Sequence, residues 1–198
     1  MRRLAEELAH EYEGVFSPQT VGRYVLESYA ARLRTSKVKA HLITTTARFV
    51  RDRLRASAIS MNAMPKEVPE VLFVCVHNAG RSQMAMGLMR KLSSGRIHVL
   101  SAGSMPSAEI AANVITVMNE IGVDLSEEFP KPLTDDVVQA ADVVVTMGCG
   151  DACPVYLGKR YLDWDLVDVE SLDLDGVRKV REQLTELVTQ LSAELAPI

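Results

Sequence analysis

Residues 71–82 have the sequence VLFVCVHNAGRS, in which an apolar run leads into a loop that ends in an arginine and a serine. The run from Val71 to Val76 is rich in β-branched residues and carries no charge, which is typical of a strand buried on both faces of a parallel sheet. Residues 75–82 match the pattern C-x5-R-S, and a helix is predicted from Ser82 onward. Ligands of open α/β sheets bind at the carboxyl ends of the strands, so the pattern places Cys75 at a candidate ligand site.

The loop after this strand is suited to bind a tetrahedral oxyanion. A tight loop that enters a helix points several backbone N–H groups inward, with the positive end of the helix dipole behind them. Gly80 lets the backbone approach the ligand, Arg81 can clamp two oxygens, and Asn78 can brace the loop from inside. The same field stabilises a thiolate, which makes Cys75 the predicted nucleophile. The predicted oxyanion-binding residues are Val76, His77, Asn78, Ala79, Gly80, Arg81 and Ser82.

A plainer interpretation of Cys75 competes with this one. Short patterns of this kind occur by chance, and a cysteine at the end of a buried strand is usually only a small hydrophobic residue. The position of the pattern, between an apolar strand and a helix that carries Ser82, favours the functional interpretation. The sequence therefore predicts a reactive thiol at Cys75.

Strands and helices are predicted to alternate downstream of Pro69. The predicted strands cover 71–76, 97–100, 141–146 and 159–166, and the predicted helices cover 82–92, 108–121 and 173–195. A β-α-β order predicts right-handed connections and a doubly wound parallel sheet. The predicted fold class is therefore α/β, with a four-stranded parallel sheet in a domain over residues 70–198.

Residues 1–58 are predicted to be helical throughout, within a small all-α segment of residues 1–60. Ser17 and Pro18 form a helix start signal, because a serine can cap free N–H groups and a proline at the first helical position loses no hydrogen bond. Three short helices are predicted, the third beginning near Ser36, and residues 58–69 are predicted to be a linker. So short a segment buries its apolar stripes poorly, and we therefore predict that residues 1–60 mediate a homodimer.

Charge and hydropathy exclude several classes of partner. Residues 1–60 carry 11 Lys/Arg and 6 Asp/Glu, a net charge of +5, and residues 61–198 carry 11 and 20, a net charge of −9. The basic residues are scattered along the helical pattern and form no run, so we predict a solvated helix surface and no nucleic-acid partner. No apolar run of about 18 residues and no apolar signal region occurs, which predicts a cytoplasmic protein without a membrane segment.

Two further cysteines, Cys149 and Cys153, follow a predicted strand whose end should open beside the Cys75 loop. Extra thiols near a thiolate suggest disulfide exchange. Residues four apart in a helix have Cβ atoms about 5–6 Å apart, whereas a disulfide needs roughly 3.5–4.5 Å. This segment must therefore bend to oxidise, which Gly148 and Gly150 make easier. No second cysteine pair exists to complete a zinc site, so no metal is predicted.

Residues 70–195 resemble the low-molecular-weight protein tyrosine phosphatases and the arsenate reductases that share their fold. The resemblance is carried by VLFVCVHNAGRSQMA from Val71, by the Ser101-Ala102-Gly103 turn, by IGVDLS and by ADVVVTMGCGDACP. The segment NAGRSQMA is closer to the arsenate reductases. The resemblance implies the phosphatase-type fold, a nucleophilic role for Cys75 and an oxyanion role for Arg81, and it leaves out residues 1–60.

The resemblance also implies roles for the other two cysteines and for an acid. Cys153 looks like the terminal cysteine of the reductases that recycle through thioredoxin, and Cys149 looks like the intermediate one, although their spacing here is shorter and leaves the order of attack open. An acid is expected on a later loop, where counting from Trp164 gives Asp168. Val169 replaces the usual proline after this residue, so Asp165 remains an alternative acid.

These roles predict reduction of arsenate to arsenite by Cys75, with protonation by Asp168 and a disulfide cascade through Cys149 and Cys153. No bound metal or organic cofactor is expected, only an external thiol reductant such as thioredoxin or a low-molecular-weight thiol. One alternative is a phosphatase that uses Cys75, Arg81 and Asp168. Another is a non-catalytic oxyanion or redox sensor whose helical segment binds a partner.

Overall fold

The N-terminal helices follow the predicted start signal. Ser17 accepts a hydrogen bond from the Thr20 N–H (3.2 Å) and Pro18 opens its helix. The helices are α1 (Arg2–Glu11), α2 (Pro18–Thr35) and α3 (Leu42–Ser60), with a short 3-10 helix at Lys39–His41. Their shared core consists of Leu8, Tyr12, Val21, Val25, Val50 and Leu54.

The boundaries of α3 differ from the predicted ones. Ser36 was expected near the start of the third helix, but it ends α2: its backbone is extended and its N–H donates to Arg32 O (2.9 Å). The third helix begins later, at Leu42, and it continues to Ser60, so that it includes the first three residues of the predicted linker.

The apolar run before the cysteine loop forms strand β1 (Glu70–Cys75), and all six residues are buried. The other strands are β2 (His98–Gly103), β3 (Val143–Met147) and β4 (Arg160–Asp163), and the sheet order is β2-β1-β3-β4 with every pairing parallel. This computed structural model describes residues 1–36, 39–148 and 154–197. The predicted α/β class with a four-stranded parallel sheet is confirmed, and Cys75 ends the strand level with Gly103 on one side and Met147 on the other.

Helices α4 (Arg81–Ser93), α5 (Ala112–Asn119), α6 (Asp135–Ala140) and α7 (Leu174–Leu195) complete the described elements. The closing helix α7 matches its predicted range and buries the stripe Val177, Val180, Leu184, Val188 and Leu191. Helix α5 is shorter than the predicted range of 108–121: it begins at Ala112, and the Ala111 N–H just ahead of it donates to Ala79 O of the cysteine loop (3.0 Å).

Helix α6 was not predicted, because six residues with adjacent apolar positions show no helical period. The chain divides into one unit of residues 1–66 and 134–140 and a second of residues 67–133 and 141–198, so α6 belongs with the N-terminal helices. It packs on α3, where Arg53 Nε donates to Asp136 Oδ2 (2.9 Å). None of the helices in the described ranges is long and apolar enough to cross a membrane.

Candidate active site

The sulfur of Cys75 is enclosed by its own loop. Cys75 is only 2% exposed, its Sγ accepts a hydrogen bond from the Asn78 N–H (3.2 Å) and it lies 2.9 Å from Ser82 Oγ. The Ser82 hydroxyl oxygen accepts from Asn78 Nδ2 (2.7 Å), which leaves its own hydrogen available for the sulfur. Two donors therefore converge on Cys75, an arrangement that suits a thiolate better than a thiol.

Asn78 holds this loop from inside. Its φ of 49° lies in the left-handed region, which asparagine tolerates better than most residues. Its buried side-chain oxygen accepts from the Lys131 N–H (2.8 Å) and from Gln83 Nε2 (3.1 Å). Gln83 Nε2 also lies within hydrogen-bond distance of Asn78 O (3.2 Å) and Phe129 O (3.0 Å). The brace predicted at Asn78 is thus supported by Gln83, a residue within the quoted motif to which sequence reasoning gave no role.

Gly103, at the end of β2, allows the loop to pass close to the sheet. A Cβ atom at Gly103 would lie 2.7 Å from Val76 O and 2.9 Å from both the N and the Cβ of Asn78. These are atoms of the loop itself and not the far ends of flexible side chains. The prediction of a turn at Ser101-Ala102-Gly103 is wrong, because these residues form the end of strand β2, but the glycine of the motif has a steric reason in this close approach.

Arg81, the first residue of α4, is 9% exposed and reaches toward the loop after β4. Its Nη1 donates to Leu166 O (2.9 Å), and its Nη2 lies 3.7 Å from Asp168 Oδ1. Gly148 has a φ of +70°, and a Cβ there would lie 3.1 Å from Arg81 Nη1. The guanidinium is therefore confined between the end of β3 and the candidate acid.

The segment of residues 164–170, called the acid loop below, alternates between buried and exposed positions. Trp164 packs on Phe73 of β1 with ring centroids 5.6 Å apart, and Leu166 and Val169 are also buried. The side chain of Asp168 is about half exposed and is the carboxylate that faces Arg81. Asp165 is exposed as well, but the ion pair with Arg81 is made by Asp168.

A second contact joins the two loops at their rim. His77 Nδ1 lies 2.8 Å from Glu170 Oε1, and both side chains are more than a third exposed. Val169 fills the space over Gly80, where a Cβ atom would lie 2.3 Å from Val169 Cγ2. Sequence reasoning missed Glu170, which carries no motif signal. The packing of Val169 explains why residue 80 has no side chain.

Cys149 and Cys153 lie outside the described residues, so their predicted roles stay predictions. The neighbouring positions are described: β3 ends at Met147 beside Cys75, and the Tyr161 hydroxyl donates to Pro154 O (3.0 Å). Within the described ranges no group of three or more His, Cys, Asp or Glu could hold a metal ion.

Two family models match the chain. Residues 1–58 match the protein-tyrosine-phosphatase-like N-terminal domain, and residues 70–197 match the low molecular weight phosphotyrosine protein phosphatase family. A thioredoxin-dependent arsenate reductase from Corynebacterium glutamicum is 45% identical, with a TM-score of 0.88 over 98% of this chain and 95% of that one. A solved arsenate reductase in a phosphate-binding state is 34% identical, with a TM-score of 0.56 over 65% of this chain and all of that one. A glutaredoxin arsenate reductase from Synechocystis is 35% identical over 64% of this chain and 98% of its own length.

Proposed function

The chain belongs to the low molecular weight phosphotyrosine protein phosphatase family, and from this premise we propose that it is a cytoplasmic enzyme that reduces arsenate to arsenite. The observation that carries the proposal is the loop from Cys75 to Ser82, which surrounds a buried sulfur with hydrogen-bond donors and ends in Arg81, whose guanidinium lies 3.7 Å from Asp168. The likeness along nearly the whole chain to a thioredoxin-dependent arsenate reductase supports arsenate as the substrate.

In the first step the Cys75 thiolate attacks the arsenic of an arsenate bound to the loop and Arg81. A sulfur–arsenic bond forms and an arsenic–oxygen bond breaks, while Asp168 donates a proton so that the oxygen leaves as water. The backbone N–H groups of the loop stabilise the charge that develops on the arsenate oxygens.

The second step is the redox step. The Cys149 thiolate attacks the Cys75 sulfur, a disulfide forms, and the electron pair of the sulfur–arsenic bond passes to arsenic, which leaves as arsenite. Two thiols are thereby oxidised and arsenic is reduced by two electrons. Cys153 then attacks Cys149 and releases Cys75 as a thiolate. An external dithiol, which we propose to be thioredoxin, reduces the Cys149–Cys153 disulfide, and no bound metal or organic cofactor takes part.

The phosphatase alternative uses the same loop but needs room for the organic group of an ester. A cavity of about 400 Å³ lies beside Ala79 of the loop and is lined in part by Ser107, Glu109, Asn113 and Glu170. None of its described lining residues is aromatic, and two carboxylates face it. The described lining therefore offers no aromatic side chain on which a phosphotyrosine ring could stack.

A coupled assay tests the proposal. Arsenate with thioredoxin, thioredoxin reductase and NADPH should consume NADPH in step with arsenite release, and a low-molecular-weight thiol system supplies the comparison. A phosphatase, or a sensor that binds without turnover, would consume no reductant. If arsenate caused no consumption of reductant, the proposed reaction would be overturned.

The cysteine relay has its own test in Cys153→Ser. Neither the first attack nor the first exchange uses Cys153, so this variant should release about one arsenite per chain and then stall with a Cys75–Cys149 disulfide. Linked peptides in mass spectrometry would identify that bridge. Cys149→Ser should not form it, and Cys75→Ser should release no arsenite. Sustained thioredoxin-coupled turnover by Cys153→Ser would refute the relay.

We also propose that the N-terminal helices form a homodimer. Leu26 of α2 and Ile43 of α3 are 64% and 62% exposed, so each is a large apolar side chain that a second copy of the chain would remove from water. The double variant Leu26→Glu/Ile43→Glu should halve the mass measured by light scattering and leave the α3–α6 contact intact. Glu13→Gln, at an exposed position between α1 and α2, supplies the control. An unchanged mass in the double variant would contradict the proposal.

A further inference from the structure

The acid loop has few means of its own to hold Asp168 in place. The residue is half exposed, and the hydrogen bond to its carboxylate from the Glu170 N–H is long at 3.4 Å. The turn that follows closes through the Leu172 N–H, which donates to Val169 O (3.2 Å). The position of the carboxylate therefore depends on what holds this turn from outside.

Asn113, the second residue of α5, holds it. Its Nδ2 donates to Val169 O and to Leu172 O, both at 2.9 Å, so that one amide group binds both ends of the turn. Its Oδ1 accepts from the Val114 N–H (2.9 Å) within the first turn of α5. The side chain thus uses both donor hydrogens and its acceptor, and its orientation is fixed by all three bonds.

The position of this turn bears directly on the reaction. Val169 O belongs to the residue that follows Asp168, and the Val169 side chain is fully buried over Gly80 of the oxyanion loop. On the other side of Asp168, Arg81 holds Leu166 O. The backbone on either side of Asp168 is therefore held by hydrogen bonds, from Arg81 on one side and from Asn113 on the other. A displacement of a catalytic group by about 1 Å lowers the rate roughly 10²-fold.

We propose that Asn113 is a positioning residue for proton donation: it sets the place of Asp168 through the carbonyls of Val169 and Leu172 and has no contact with the arsenate. This inference rests on the proposed reduction of arsenate with Asp168 as the acid. It predicts a loss in kcat and little change in oxyanion affinity, because the loop that binds the oxyanion is braced independently by Asn78 and Gln83.

Two variants separate the clamp from the helix start. Asn113→Ala removes all three bonds. Asn113→Asp can still accept from the Val114 N–H and places a carboxylate in the first turn of α5, where the helix dipole favours it, but it has no hydrogen to donate to the two carbonyls. Asn119→Ala, at the exposed C-terminal end of the same helix, is the matched control.

The experiment measures kcat for thioredoxin-coupled arsenate reduction, the affinity for inorganic phosphate as a competitor, and the thermal unfolding midpoint. Asn113→Ala and Asn113→Asp should each lower kcat by about 10- to 100-fold while the phosphate Kd changes by less than about 2-fold. Both Asn113 variants should also unfold at a lower temperature than the unmodified protein, because each loses the bonds to the two carbonyls. Asn119→Ala should match the unmodified protein in kcat, phosphate affinity and unfolding midpoint.

A double-mutant cycle identifies the path of the effect. If Asn113 acts through Asp168, then Asn113→Ala/Asp168→Asn should be within about 2-fold of Asp168→Asn alone, because the acid is already absent. Unchanged kcat in both single variants, or fully multiplicative losses in the double variant, would overturn the inference and leave the proposed function standing. No arsenite from the unmodified protein would overturn both.

Discussion

The oxyanion loop and the acid loop meet at Arg81, yet they are built in opposite ways. The hydrogen bonds of the first that reach Cys75 Sγ and Ser82 Oγ join residues three to seven positions apart, and the sulfur is 2% exposed, while Lys131 supports the loop from a distance. The second is held by partners 56 to 93 positions away, and its carboxylate is half exposed. The direct partners of the nucleophile are thus close in sequence, whereas those that place the acid come from the tertiary fold. The two should respond differently to substitution.

The largest effect is expected at the acid itself. Asp168→Asn should lower kcat by about 10² to 10⁴, as the loss of a general acid does, with phosphate affinity nearly unchanged because Arg81 and the oxyanion loop remain. Steady-state kinetics with phosphate inhibition would measure both quantities. Asp165→Asn is the matched control and should do much less. The reverse ranking would show that the acid has been assigned to the wrong aspartate.

A smaller effect of a different kind is expected at Gly103. In Gly103→Ala the new methyl meets Val76 O and the backbone of Asn78 at under 3 Å, so the oxyanion loop must move. We expect a loss of about 10²-fold in kcat/KM, together with weaker phosphate binding, and a destabilisation of about 1–3 kcal/mol. Phosphate titration and chemical denaturation would measure these.

Gly22→Ala is the control for Gly103→Ala. Gly22 lies within α2 and nothing approaches a Cβ there within 4 Å, so an alanine should be neutral or stabilise the helix by up to about 1 kcal/mol. If Gly103→Ala reduced kcat and left phosphate binding intact, the separation of the two loops would be wrong.

The smallest effect on activity is expected behind the oxyanion loop. Lys131, whose N–H binds Asn78, pairs with the buried Glu128 at 2.9 Å, and Arg90 pairs with the same carboxylate at 2.7 Å. Burial acts to raise the pKa of Glu128, but the charges and hydrogen bonds of Lys131 and Arg90 outweigh it and hold the pKa at about 2. Because this value lies below that of an unfolded glutamate, the contribution to stability is complete above about pH 4.5 and is lost as the pH falls toward 2.

Glu128→Gln should therefore reduce the free energy of unfolding by about 3 kcal/mol at pH 7 and flatten its dependence on pH between about 5 and 2, with kcat changed only a few-fold. Urea denaturation across this pH range would measure it. Glu127→Gln, at the exposed neighbouring position, is the control. An identical acid dependence in the variant and the unmodified protein would contradict the assignment.

The same contrast explains what sequence could predict. Strand β1, the loop to Ser82 and helix α7 were predictable because their signals are local: an apolar run, a short motif and a helical period. Helix α6 was missed because it is too short to show a period. Asn113 and Glu170 were missed because their partners become neighbours only when the sheet has formed. The assignment of Asp168 by counting from Trp164 agrees with its place beside Arg81, although the acid role stays a prediction.

Helix α6 also bears on whether the N-terminal helices and the phosphatase-like domain could be encoded as separate proteins. In chain order it lies between β2 and β3, yet its packing partner is α3 and its Asp136 pairs with Arg53. A gene boundary placed between the two regions that match separate families would split that ion pair and separate α3 from the helix that packs on it. We therefore expect that a relative which gains or loses the N-terminal helices also changes the residues of α6 that contact them.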